Sequence, residues 1–160
     1  MFPHLQLLLR LAYLAEYTIK PASEEDFRAI RSIVRSARIN PTGLDWRRFL
    51  VVVTPDGEVI GCGQVKPHGK DILEIASIAV KPDYRGKGIA RLIIQQLIAN
   101  NQTPLYLMCR SSLENFYKKF GFFVLARQEM PPYYRRIATF VGMLSGLQSG
   151  VESLLVMRLD

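Results

Sequence analysis

Seven consecutive residues, Arg85-Gly86-Lys87-Gly88-Ile89-Ala90-Arg91, are the part of this chain whose types and spacing most plainly suit a chemical task. They join an apolar run, Ile72 to Val80, to an amphipathic run that begins at Ile89. A strand, a glycine-bearing turn and a helix start make a corner that suits a phosphate. The first backbone N–H groups of a helix are unpaired, and its dipole favours an anion there. Gly86 and Gly88 carry no Cβ, so a diphosphate can lie against the backbone, and Arg85 and Lys87 add positive charge. The turn is not GxxxxGK[ST], and Arg91 stands where a dinucleotide fingerprint GxGxxG needs glycine. Taken alone, it also fits a plain strand-to-helix connection.

The flanks narrow the reading. Glu74-Ile75-Ala76-Ser77-Ile78-Ala79-Val80 leads into the turn, and Glu114-Asn115-Phe116-Tyr117-Lys118-Lys119-Phe120-Gly121-Phe122 follows downstream. With these stretches in order, the chain resembles the GNAT superfamily of acyl-CoA-dependent N-acetyltransferases. Arg85, Gly88 and Ala90 fill the fixed positions of that family's acetyl-CoA signature, Q/R-x-x-G-x-G/A. Phe116, Tyr117, Lys119, Gly121 and Phe122 fill a second signature, F-Y-x-K-x-G-F. The resemblance runs from about Tyr17 to Asp160 and specifies the donor far better than the acceptor.

The resemblance implies an α/β fold: a mixed, mostly antiparallel central sheet splayed between its fourth and fifth strands, with helices on both faces. Here those strands are Ile72–Val80 and Leu105–Cys109, and the pantetheine arm of acetyl-CoA would fill the gap. The backbone N–H groups of Gly86, Lys87, Gly88, Ile89, Ala90 and Arg91, beside Arg85, are the expected ligands of the diphosphate. The backbone of Ile78, Ala79 and Val80 would pair with the pantetheine and the acetyl carbonyl. A hydrogen bond to that carbonyl stabilises the oxyanion formed as an amine attacks. Acetyl-CoA is the implied co-substrate, with no metal.

Proton handling supplies two further candidates. An alkylammonium has a pKa of ~10.4, so neutralising it at pH 7 costs about 4–5 kcal/mol, part of which a general base offsets. Glu74, an acidic residue inside an apolar strand, stands where some family members keep a catalytic glutamate. It also reads as a strand-end glutamate in solvent or in an ion pair. Tyr117 stands where many members keep the tyrosine that protonates the leaving thiolate; its other reading is a packing residue. The chain departs from the pattern in two places: Arg110 where many relatives have asparagine, and Leu113 where many have alanine. Asn115 lies near enough to replace that asparagine. Trp46, Tyr133, Tyr134 and a loop around Arg135-Arg136 are candidate walls for the acceptor amine, or simply packing. Cys109 as an acyl-carrying thiol is conceivable, but direct transfer is the family norm.

Elements must position these groups. Tyr17 to Pro21 reads as a first strand, followed by a helix capped by Ser23 with Phe27, Ile30, Val34 and Ala37 on one face. Phe49–Thr54 and Val59–Val65 form a hairpin about Pro55-Asp56-Gly57. Pro67-His68-Gly69-Lys70 reads as a turn, with His68 in solvent, before the long central strand Ile72–Val80. Ile89, Leu92, Ile93 and Leu97 share a helix face. Then come strand Leu105–Cys109, helix Glu114–Phe120, a strand from Phe122, and a last strand over Val151–Leu159. Met130 to Gly150 reads as a loop plus a helix whose bounds the sequence does not fix.

Bulk properties set the frame. The 160 residues suit one domain, read as an arm or short helix over 1–16 and an acyltransferase domain over 17–160. Hydrophobic residues are 49% and charged residues 22%, an ordinary globular composition. The net charge of +7 suits a polyanion such as coenzyme A, and equally a nucleic acid. The basic residues are scattered without an RNA-module or groove-reading pattern, so no nucleic acid is expected. Cys62 and Cys109 lack metal spacing and read as buried, reduced thiols, consistent with a cytoplasmic setting. The leucine-rich start is shorter than the ~20 apolar residues of a membrane span, so no stable membrane insertion is expected. It could serve a homodimer. Two function classes emerge: an N-acetyltransferase acting on a small-molecule or protein amine, and an acyl-CoA sensor that binds without transfer.

Overall fold

The computed structural model describes residues 16–145 and 153–160. Among them are seven strands: β1 (Thr18–Pro21), β2 (Phe49–Val53), β3 (Val59–His68), β4 (Ile72–Val80), β5 (Leu105–Arg110), β6 (Phe123–Val124) and β7 (Leu154–Leu159). The α-helices are α1 (Phe27–Ser36), α2 (Ile89–Ala99), α3 (Glu114–Lys118) and α4 (Pro132–Ser145). The strands form one mixed sheet in the order β1-β2-β3-β4-β5-β7-β6. β4 pairs with β5 in parallel through Leu73↔Leu105 and Glu74↔Tyr106. The β1–β2, β2–β3, β5–β7 and β6–β7 pairs are antiparallel. The leucine-rich start read as an arm lies outside the described residues, as do the first residues of the last expected strand.

The chain divides into two compact units, one of residues up to Lys66 with Ile75–Asn100, the other of Pro67–Glu74 with Asn101–Asp160. In the first unit all five residues of β2 are buried, as an apolar, β-branched run demands. α1 buries Ile30, Ile33 and Val34, the i, i+3, i+4 stripe of an amphipathic helix, in a cluster with Phe49, Val51 and Cys62. Burial without an ionic partner pushes the Cys62 thiol up to about 12. The cap of α1 differs from expectation. Asp26 is its N-cap, and the Asp26 carboxylate accepts from the Ser23 backbone N–H at 2.8 Å, from Ser23 Oγ at 3.0 Å and from Lys20 Nζ at 3.2 Å. None of these donors is a helix N–H, so the Asp26 side chain closes the turn before α1 rather than capping the helix.

α2 buries Ile89, Ile93, Ile94 and Leu97, so Ile94 takes the core position expected of Leu92. It packs on β3 at two glycines. A Cβ at Gly63 would stand 2.5 Å from Ile78 Cδ1 and 2.7 Å from Ile93 Cγ2, and one at Gly61 2.8 Å from Ile89 Cγ2. Gly63→Ala is therefore expected to destabilise the fold by ~1–3 kcal/mol through overpacking. The check is a urea titration, read as a lower midpoint at unchanged m.

In the second unit β5 and β7 align over six register pairs, from Leu105↔Leu159 to Arg110↔Leu154. Tyr106, Leu125, Tyr134 and Val156 form its core cluster. The loop expected around Arg135-Arg136 is helix: α4 begins at Pro132. Proline suits that first helical position, where the missing N–H would have no partner. His68 is also re-placed. β3 continues through Pro67 and His68, and the turn is Gly69 to Asp71. His68 leaves solvent because a buried acid, Glu74, takes its ring.

Candidate active site

The phosphate-type corner is built entirely in the first unit. After β4, Pro82–Tyr84 makes one 3₁₀ turn, and Arg85 folds back so that its Nε donates to the Val80 carbonyl at 3.0 Å. Gly86 has φ +74° and Gly88 φ +95°, left-handed values that glycine adopts without strain. Gly88 is the N-cap of α2, and its carbonyl accepts the Leu92 N–H at 3.0 Å. The two left-handed glycines turn the backbone directly into the first turn of α2, where a helix presents its N–H groups and the positive end of its dipole. Lys87 Nζ sits 5.3 Å from the Tyr84 ring centroid, while Lys81 Nζ donates to Glu58 at 2.5 Å. Ile89 is buried, Ala90 half-buried and Arg91 exposed.

β4 holds a residue that sequence reasoning missed. Ser77 has φ +57° in mid-strand, a conformation costing about 1–2 kcal/mol for an L-residue. Gln64 Nε2 donates to Ser77 Oγ at 3.0 Å, which helps hold it. The distortion stands immediately before Ile78, Ala79 and Val80, the segment expected to face the donor; Ile78 is half-buried, Ala79 and Val80 buried. Backbone strain of this kind concentrates at functional sites. No sequence signal marks it, because serine is not a residue that announces positive φ.

In the second unit, α3 buries Tyr117 against Phe116 and Phe122, with ring centroids 5.1 and 6.2 Å away. Burial, with Cys109 nearby, pushes the Tyr117 hydroxyl up to about 12. Cys109, on β5, lies 3.7 Å from the Met157 sulfur, and its thiol is pushed up to about 11 by burial and the Glu114 charge. Asn115 is exposed on α3.

Glu74 is 6% exposed, so it is neither a solvated strand end nor a surface ion pair. Its Oε2 meets His68 Nε2. With the carboxylate ionised, as a general base must be, it only accepts, and the tautomer that carries the proton on Nε2 is the donor. The His68 ring stacks on Tyr133 with centroids 4.1 Å apart, and Tyr134 stands edge-on at 6.4 Å. Tyr134 is fully buried, 5.5 Å from Tyr106, and its hydroxyl has no hydrogen-bond partner among the described residues. Burial first, then the Glu74 charge, raises the pKa of both Tyr133 and Tyr134. Arg135 donates to the Met130 carbonyl at 3.0 Å, and it and Arg136 are exposed. Trp46 lies in the first unit, in a 3₁₀ turn beside an open pocket of about 390 Å³ that Glu24, Phe27 and Leu44 also line. Among the described residues no cluster of His, Cys, Asp and Glu could hold a metal ion.

A mixed sheet whose central strand feeds a left-handed glycine corner and a helix is an α/β fold with a corner of the phosphate-binding kind. Residues 45–124 match the acetyltransferase (GNAT) domain, and the chain belongs to the GNAT family. It is 27% identical over 88 residues to an uncharacterized N-acetyltransferase of Chlorobaculum tepidum, a match covering 52% of this chain and 56% of that relative. The match thus spans little more than half of the curated relative. Among solved structures, Rv2747 of Mycobacterium tuberculosis in complex with CoA and NLQ aligns with a TM-score of 0.68 at 22% identity, over 89% of this chain and 98% of that one. N-acetylglutamate synthase of Neisseria gonorrhoeae, complexed with coenzyme A and N-acetyl-glutamate, aligns at 0.66 and 20% identity, over 90% of this chain and 35% of that one. Ard1 of Thermoplasma volcanium aligns at 0.63 and 18% identity, over 91% of this chain and 99% of that one. These likenesses establish the fold.

Proposed function

We propose that this chain, over 17–160, is an N-acetyltransferase that moves an acetyl group from acetyl-CoA to a primary amine by direct attack in a ternary complex. The observation that carries the reading is the left-handed Gly86–Gly88 corner at the start of α2, joined to the family match. The diphosphate would lie on the backbone of Gly86 to Arg91, and the thioester along Ile78 to Val80. The amine nitrogen attacks the acetyl carbonyl carbon. Its proton passes to Glu74, the carbon–sulfur bond breaks, and the thiolate takes the Tyr117 proton. Coenzyme A-bound relatives of the same fold and the burial of both side chains support this assignment. Among the described residues no helix is long and apolar enough to cross a membrane.

Mixing the protein with acetyl-CoA and a panel of amines tests the reading. Amine-dependent release of free thiol is expected. Thermal stabilisation by acetyl-CoA without release would favour the sensor instead, and neither would overturn the corner as a cofactor site.

Glu74→Gln is expected to lower kcat/KM most above the acidic limb of the profile, and to converge with the wild type at the acid end, where protonation has disabled the wild-type base as well. A profile parallel to the wild type would remove Glu74 from that role.

A further inference from the structure

We propose that His68 is a positioning residue for Glu74, so that the base is a two-residue unit rather than a lone carboxylate; this rests on the Glu74 role above. Nothing in the sequence pairs these residues. The turn between β3 and β4 is only Gly69 to Asp71, so chain reversal brings the end of β3 alongside the first residues of β4. The side chains meet there with 19% and 8% exposure, far below what a surface pair would show.

The geometry gives His68 a task. A carboxylate with 8% of its side chain exposed has given up nearly all its water, and burial disfavours its charged form. The Nε2–H of His68 replaces part of that hydration and fixes the Oε2 lone pair in one direction. Tyr133, stacked on the imidazole from α4, and Tyr134, edge-on to it, fix the ring in turn. The titratable groups placed against Glu74 include His68 from β3, Tyr133 and Tyr134 from α4, and its register partner Tyr106 from β5. A tyrosine is neutral or anionic and never cationic. Of these groups only His68 can favour the ionised form of Glu74 with a positive charge. The donor that orients the base thus comes from a residue outside both family signatures.

The test is a pair of His68 variants read by pH–rate profile. His68→Phe keeps a flat ring on Tyr133 but loses the donor. It is expected to lower kcat/KM for the amine by roughly tenfold at neutral pH, leave the KM for acetyl-CoA unchanged, and move the acidic limb of the profile to higher pH. His68→Gln keeps an N–H donor without the ring or its charge, and is expected to recover part of the rate. Should His68→Phe not fold, the same displacement of the acidic limb, smaller in size, is read from His68→Gln. A wild-type acidic limb in a folded His68 variant, with Glu74→Gln impaired, overturns the two-residue unit and leaves the base assignment standing. A fully active Glu74→Gln overturns both.

Discussion

Replacing Tyr117 with phenylalanine is expected to lower turnover at least about tenfold, with the affinity for acetyl-CoA unchanged. The argument is a comparison of two neighbouring acids. In water a thiol is a stronger acid than a phenol, so protonating a thiolate from tyrosine runs uphill by ~2 kcal/mol. Tyr117 is buried, and a thiolate placed beside it would be desolvated too. The Cys109 thiol, which shares those surroundings, stands at about 11 against about 12 for Tyr117. A leaving thiolate raised as far as Cys109 would leave a gap of about one unit, or ~1.4 kcal/mol. The same burial keeps Tyr117 protonated through any ordinary assay pH, so its loss should scale the rate without adding an alkaline limb. Steady-state kinetics across pH check this; unchanged turnover would make Tyr117 a packing residue only. A second readout comes from stability. With its folded pKa raised from 10 to about 12, Tyr117 contributes stability below pH 10 that is lost as pH rises through 12. Phenylalanine has no proton to lose there, so the variant should resist alkali better than the parent.

Gly88→Val is expected to weaken acetyl-CoA binding by roughly 10–100-fold, the equivalent of ~1–3 kcal/mol. At φ +95° a β-branched residue is strained, and relief of that strain rotates the first N–H groups of α2 away from the diphosphate. Because Gly88 is also the N-cap of α2, the change acts where the helix dipole would meet the proposed diphosphate. Calorimetric titration with coenzyme A measures it. Full affinity in the variant would place the diphosphate elsewhere.

The contrast between these residues and the ones missed shows what a chain of letters carries. The corner was legible because its determinants are local: two glycines and two cations within four residues, between a strand and a helix. Tyr117 was legible through a motif. Burial of Glu74 was not, because a lone acid in an apolar strand looks the same whether the strand ends in water or in a core. His68 was misread because Pro67 and Gly69 flank it, and turn-forming neighbours outweigh a contact that only strand pairing creates. Ser77 has the same origin: its left-handed backbone belongs to the strand it distorts, not to its own preference. The sequence does not bound α4 because paired prolines and Gly142 interrupt the 3.6-residue pattern, although proline is welcome in a first helical turn. Asp26 holds the N-cap position by its backbone, while its carboxylate gathers Ser23 and Lys20 donors in the turn before α1.

The two buried thiols have a practical side. At pH 8, groups at about 11 and about 12 hold on the order of one part in a thousand or less as thiolate, the only form that attacks a disulfide dye. A colour reaction run continuously on native enzyme therefore reads the sulfur that leaves coenzyme A and almost nothing else. No cysteine has to be replaced first. The protein even carries its own warning: a chain that unfolds in the cuvette adds a burst of two thiols, present whether or not an amine is supplied.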